Sequence, residues 1–240
     1  MIYRESAIMK SYAKSFLLVL MSASALLLGN APQAAGLDAI SAKDASSGIK
    51  EALTKGAEFA VDSLGKENGF LGNEKLKIPL PDSLKKAEKA MHMMGMGKQA
   101  DELVETMNHA AETAVAGAKP ILMDSIKKMN VKDAKDILTG GESSVTDYFK
   151  RTTSEPLTKK FTPIVQGATK KVKLGAQYDK FAGKAAKLGL IDEKDANLDN
   201  YVTQKAMEGL YAMIAEKEKS FRANPVEAGS ALLKKVFGAL

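Results

Sequence analysis

The chain has 240 residues, 45% of them hydrophobic and 27% charged, with 35 lysines and arginines against 29 aspartates and glutamates. That balance suits a globular protein with one sizeable core and excludes a disordered or collagen-like chain. Cysteine is absent, which excludes a disulfide scaffold and a lipoprotein anchored through a cysteine.

Residues 1–36 read as a signal peptide. Arg4, Lys10 and Lys14 make a positive start, an apolar run follows from Phe16 to Leu28, and Ala34-Ala35-Gly36 offers small residues for cleavage. The run is 13 residues long, whereas a membrane-spanning helix needs about 20. The sequence therefore predicts an exported protein beginning near Leu37, not membrane-spanning after processing. No asparagine begins a glycosylation sequon, so the expected location is a bacterial periplasm, with the extracellular space as the alternative. Without Arg4, Lys10, Lys14 and Glu5 the chain keeps 32 basic and 28 acidic side chains, net +4. That mild charge, together with export, argues against a nucleic-acid partner.

From residue 37 onward the apolar period is helical. The expected fold is all-α: one domain, 37–240, forming an irregular multi-helix bundle of about nine or ten helices. Ile49, Leu53, Ala57, Ala60, Val61 and Leu64 mark a first helix stopped at Gly65. Residues 66–81 form the one long connection containing proline and glycine, with Asn68-Gly69, Gly72-Asn73 and Ile78-Pro79-Leu80-Pro81. It is expected to lie extended across helices and to tuck Phe70, Leu71, Ile78 and Leu80 inward.

A short helix through Leu84, Ala87, Met91 and Met94 ends at Gly95, and a stronger one runs from Ala100 through Met107 to Val115. Pro120 opens the next helix, and Asn130 with Asp133 resembles a capping box. Gly140-Gly141 precedes a helix carrying Val145, Tyr148 and Phe149. Ser154-Glu155-Pro156 reads as a fresh helix start, with a kink or break at Pro163. Tyr178 to Leu188 suggests a further helix, Asp199 is placed to cap the longest one, through Phe221, and Asn224-Pro225-Val226-Glu227 opens the last.

Charge is uneven along the chain. Lys150–Lys187 holds ten basic and two acidic residues, and Asp192–Glu218 holds seven acids against three lysines.

Several blocks resemble a known family: residues 65–73 (GKENGFLGN), 77–84 (KIPLPDSL), 95–104 (GMGKQADELV), 136–157 (DILTGGESSVTDYFKRTTSEPL) and 195–238. Together they are similar to bacterial exported proteins classed as domain of unknown function 4197. The resemblance implies one helical envelope domain and carries over no activity or catalytic residue.

Enzyme motifs are missing. There is no nucleophile elbow, zinc-protease helix or phosphate-binding glycine loop, and the only histidines are His92 and His109. No catalytic residue and no cofactor is assigned. Met91-His92-Met93-Met94-Gly95-Met96 has thioether and imidazole groups suited to Cu(I), so Met91, His92, Met94 and Met96 form a minor metal hypothesis. Met91 and Met94 equally fit a core face, where methionine fills gaps. Asp195-x-Asn197-x-Asp199 has the opening spacing of a calcium loop, but Asn200 and Ala206 stand where glycine and the closing glutamate are needed.

The better lead is the basic segment. Lys159, Lys160, Lys170, Lys171 and Lys173 are the candidate binding residues, for an anionic envelope component or another protein. The competing reading is a set of solvated helix faces. The sequence thus suggests a non-catalytic envelope binding or interaction module. The alternative is a carrier holding a metal ion or a small apolar molecule between helices.

Overall fold

Seven residues at four-residue intervals, Val145, Phe149, Thr153, Leu157, Phe161, Val165 and Thr169, are all buried. A helical turn takes 3.6 residues, so such a stripe advances about 40° at each step and swings about two-thirds of the way round a helix of this length. The helix that carries it, Ser144–Thr169, therefore has to be packed from several sides.

In the computed structural model, residues 41–82, 84–85, 92–93, 95, 97–175, 178, 187, 197–225 and 230–237 are described. All belong to one compact unit, Gly36–Leu240. The described residues form seven helices: α1 (Ala42–Leu64), α2 (Gly97–Ala116), α3 (Lys119–Lys128), α4 (Val131–Thr139), α5 (Ser144–Thr169), α6 (Leu198–Ala223) and α7 (Ala231–Phe237). The all-α expectation holds among these residues, and the expected nine or ten helices are not confirmed.

Two expected helices have merged. Ser154-Glu155-Pro156 is no start and Pro163 no break, because α5 runs through both prolines. Pro156 and Pro163 are exposed, so the carbonyl groups they leave without a helical partner lie on the outer side, within reach of water. Six other carbonyls of this helix, from Tyr148 to Val165, accept hydroxyl bonds from threonine or serine four residues on, as from Thr153, Ser154 and Thr162. The expected helix through Tyr178–Leu188 and most of the short one at Leu84–Met94 lie outside the described residues, as does most of the expected start at Asn224.

Helix α5 packs against α2, α3, α4 and α6, and α1 against α2, α3, α4, α6 and α7. Small residues recur on the buried side of α1 at four-residue spacing, Gly48, Ala52, Gly56 and Ala60, and a neighbour comes close at the first of them. A Cβ on Gly48 would stand 2.5 Å from Val236 Cγ2. The core so formed is continuous, from Ile49 and Leu53 through Phe70, Phe149 and Phe161 to Leu233. Each fully buried phenylalanine in it contributes about 1.5–3 kcal/mol of apolar burial.

Helix starts show where local signals suffice. Ser41 accepts from Asp44 N–H at 3.0 Å. Asn130 and Asp133 form the full capping box expected of them. The α6 cap is Asn197, which accepts from Asn200 N–H, rather than Asp199. Asp199 instead lies one turn inside the buried contact with α5, where its carboxylate accepts from the Thr169 hydroxyl. These two bonds also account for Asn197 and Asp199 of the calcium-like spacing; Asp195 lies outside the described residues.

Ser143, before α5, makes no side-chain cap. Its place is taken from 73 residues away by Glu218 on α6, whose Oε1 accepts from Val145 N–H at 3.0 Å and Oε2 from Thr146 N–H at 3.1 Å. Two orphan donors of a helix start are thus met by one fully buried carboxylate. Arg222 balances it at 3.1 Å, donates to Ser144 Oγ at 2.7 Å, and lies over the Phe237 ring at 5.7 Å.

Candidate functional site

The connection after α1 becomes a strap laid over α2 and α6. Its first half turns at Asn68, whose φ of 60° asparagine tolerates better than most residues. Its second half alternates: Leu76, Ile78 and Leu80 turn inward while Lys75, Lys77 and Pro79 face out. Phe70, Ile78 and Leu80 reach the core as expected, and Leu71 is half-buried.

Two buried polar residues of α2, one turn apart, hold the strap. Asn108 accepts from Ile78 N–H at 2.8 Å and donates to Ile78 C=O at 2.9 Å, the pairing a neighbouring β-strand would supply. Glu112 Oε1 accepts from the N–H groups of Phe70 and Leu71 at 3.0 and 3.1 Å. Its Oε2 lies 2.7 Å from His109 Nδ1. That hydrogen bond raises the His109 pKa above its ordinary value, against a smaller lowering by burial and with help from the charges of Glu112, Glu105 and Glu67. From the other side, Tyr201 on α6 donates to Pro79 C=O at 3.0 Å.

The anchored strap leaves an open cleft on each side. Toward α6 lies one of about 660 Å³, lined by Lys75, Lys77 and Ile78 of the strap and by Tyr201, Lys205 and Gly209 of α6, among others. Toward α2 lies one of about 400 Å³, bounded by Leu71, Pro79, Leu80, Asp101, Val104 and Glu105. Lys77 and Lys85 border both.

The lysines singled out from the sequence lie elsewhere. Lys159, Lys160, Lys170, Lys171 and Lys173 are all exposed, the first two on α5 and the others at and beyond its end. Eleven residues make close to three turns, so Lys170, at the C-cap with helical backbone angles, falls nearly in line with Lys159, about 16 Å along the axis, while Lys171 follows it in the turn beyond. Pro163 and Gly167 sit between them, both exposed, and place no charge on that face. Glu155 at its edge pairs with Lys159 at 2.6 Å, and the same hydrogen bond lowers the Glu155 pKa. Two of the five lysines, Lys159 and Lys160, stand on α5; Lys170 is its C-cap, and Lys171 and Lys173 stand past the helix end.

Of the methionine cluster, Met91, Met94 and Met96 lie outside the described residues. His92 is exposed with Nε2 4.0 Å from Asp101, and Met93 is 89% exposed. Among the described residues no group of three or more histidine or acidic side chains is disposed to hold a metal ion. Nor is any helix among them long and apolar enough to cross a membrane.

These features define an all-helical domain with a rigid, lysine-bordered strap and a separate lysine face. The chain belongs to the family described as protein of unknown function DUF4197, whose model matches residues 39–238. No curated protein matches the chain, and no solved structure does.

Proposed function

We propose that the protein is a non-catalytic binding module of the bacterial envelope, exported by residues 1–36 and working in the periplasm, which attaches through α5 to an anionic partner surface. The observation that carries this reading is the set of exposed lysines on α5 and just past its end, Lys159, Lys160, Lys170 and Lys171, with no charged residue between the two pairs. Each lysine near an anionic lipid surface contributes about 1 kcal/mol, so four acting together support measurable, reversible attachment. The carrier reading is less favoured, because the two clefts beside the strap are open and bordered by lysines rather than enclosed and apolar.

Sedimentation with vesicles of phosphatidylglycerol and phosphatidylcholine tests the proposal. Binding is expected at low salt and release at 1 M, where the Debye length has fallen to about 3 Å. Replacing all four lysines by glutamate should abolish binding with helicity unchanged. Wild type that ignores the vesicles at low salt, or a reversed variant that binds equally, would reduce this face to solvated surface.

A further inference from the structure

We infer that the cleft between the strap and α6 is a binding site for a small anionic molecule, one carrying phosphate or carboxylate groups on an apolar body. The site is separate from the α5 face and goes beyond the function proposed for it. Its volume of about 660 Å³ lies within the range of about 300–1,000 Å³ typical of small-molecule sites.

Gly209 and Ala212 of α6 line the depression, together with Ile78 of the strap. Residues Tyr201, Lys205, Glu208 and Ala212 recur at helical spacing along the same edge. Polar bonds fix the opposite wall: buried Asn108 grips Ile78, and Tyr201 grips Pro79 at the surface. A wall held at consecutive backbone positions is shaped before any ligand arrives, which lowers the ordering cost of binding.

Charge selects the class of ligand. Four lysines, Lys75, Lys77, Lys85 and Lys205, face two carboxylates, Asp82 and Glu208. Lys85 pairs with Asp82 at 2.9 Å and Lys205 with Glu208 at 2.6 Å. Lys75 and Lys77 have no ion-pair partner among the described residues, and both stand on the outward side of the alternating strap. They sit two residues apart at a turn in which the Leu76 and Lys77 N–H groups both bond Asn73 C=O, close enough for one phosphate or carboxylate group to bridge them through their long side chains. Leu76, Ile78, Pro79 and the Tyr201 ring supply the apolar lining for the rest of the molecule.

Phenyl phosphate and 3-phenylpropionate serve as probes, with benzyl alcohol as the neutral control, followed by backbone amide signals of the full mature chain. Saturable shifts are expected at Lys75–Ile78 and Gly209–Ala212 with the anions, and at least tenfold weaker binding of the alcohol. The tighter of the two anions identifies the preferred head group. Lys75→Glu with Lys77→Glu should remove binding by charge, and Ala212→Trp should block it by filling the cleft; all three positions are exposed, so folding should persist. Lys159→Glu with Lys160→Glu should leave it unchanged. The inference is overturned if neither anion gives saturable shifts, if the alcohol binds as tightly, if the shifts fall on α5, or if either cleft variant binds like wild type.

Discussion

The edge of the Phe70 ring occupies the space where a side chain at Gly209 would begin: a Cβ built there would lie 2.5 Å from Phe70 Cε1 and 2.9 Å from Cζ. A ring fully buried on a bare helix backbone is what seats the strap on α6. Gly209→Ala should therefore lower stability by about 1–3 kcal/mol through overpacking, despite the gain in helix propensity. Urea unfolding of Gly209→Ala, Phe70→Leu and the double variant checks it. The double variant should lose less than the two single losses added together, since the smaller side chain relieves the clash.

Removing Glu218 should be among the most damaging single changes. Glu218→Ala leaves the Val145 and Thr146 N–H groups without an acceptor and strands the Arg222 guanidinium, 16% exposed, without its carboxylate. Breaking a buried pair of this kind costs about 3–5 kcal/mol. Glu218→Gln, which keeps one carbonyl acceptor, should lose less. Chemical denaturation of the two variants side by side gives the comparison.

His109 should make stability depend on pH in one direction. Its folded-state pKa is raised above the ordinary histidine value of 6.5, chiefly by the hydrogen bond to Glu112. The folded protein therefore holds this proton more tightly than the unfolded chain does. The stabilisation is complete below about pH 6.5 and is lost as pH rises through the folded-state value. The stability gap between wild type and His109→Gln should shrink over that window, and an imidazole titration should give a midpoint above 6.5. A midpoint at or below the ordinary value would contradict the latch geometry. Exposed Glu105, 3.7 Å from the other ring nitrogen, acts in the same direction.

Thr203 offers a prediction of opposite sign. Its hydroxyl is the one buried side-chain polar atom without a hydrogen-bond partner among the described residues. Thr203→Val keeps the shape and removes the unmet group, so it should leave stability unchanged or raise it by about 1 kcal/mol. Thermal unfolding decides, and a clear fall in the midpoint would show that the hydroxyl is satisfied in solution.

The sequence shows helices by their apolar spacing and shows caps that rely on neighbours, such as Ser41 and Asn130. It does not show a cap supplied from 73 residues away, as Glu218 supplies to the start of α5. The prolines of α5 misled for a related reason. Proline breaks a helix on average, but whether it does so here depends on which side faces solvent, and Pro156 and Pro163 both face out. Of the site, the lysines of α5 were legible as a run, and the eleven-residue spacing that aligns them was present in it. The strap cleft was not, because its cations come from positions 75, 77, 85 and 205, joined only by folding. One signal was available: Val104, Asn108, Glu112 and Val115 follow one another along an apolar line of α2, and two polar residues there call for backbone partners from a nearby loop.

Asn108 and Glu112 fall on the same side of a cylinder only after α2 has wound into a helix; in an extended chain they are too far apart to grip Ile78, Phe70 and Leu71 together. The strap thus has nothing to dock on until that helix exists, and the contacts it then closes span 30 to 42 residues of intervening chain. Closing such loops costs entropy before any contact repays it. An order of assembly is therefore built into the fold: α2 consolidates first, the strap settles onto it afterwards, and the lysine-bordered cleft is among the last parts of the molecule to take shape.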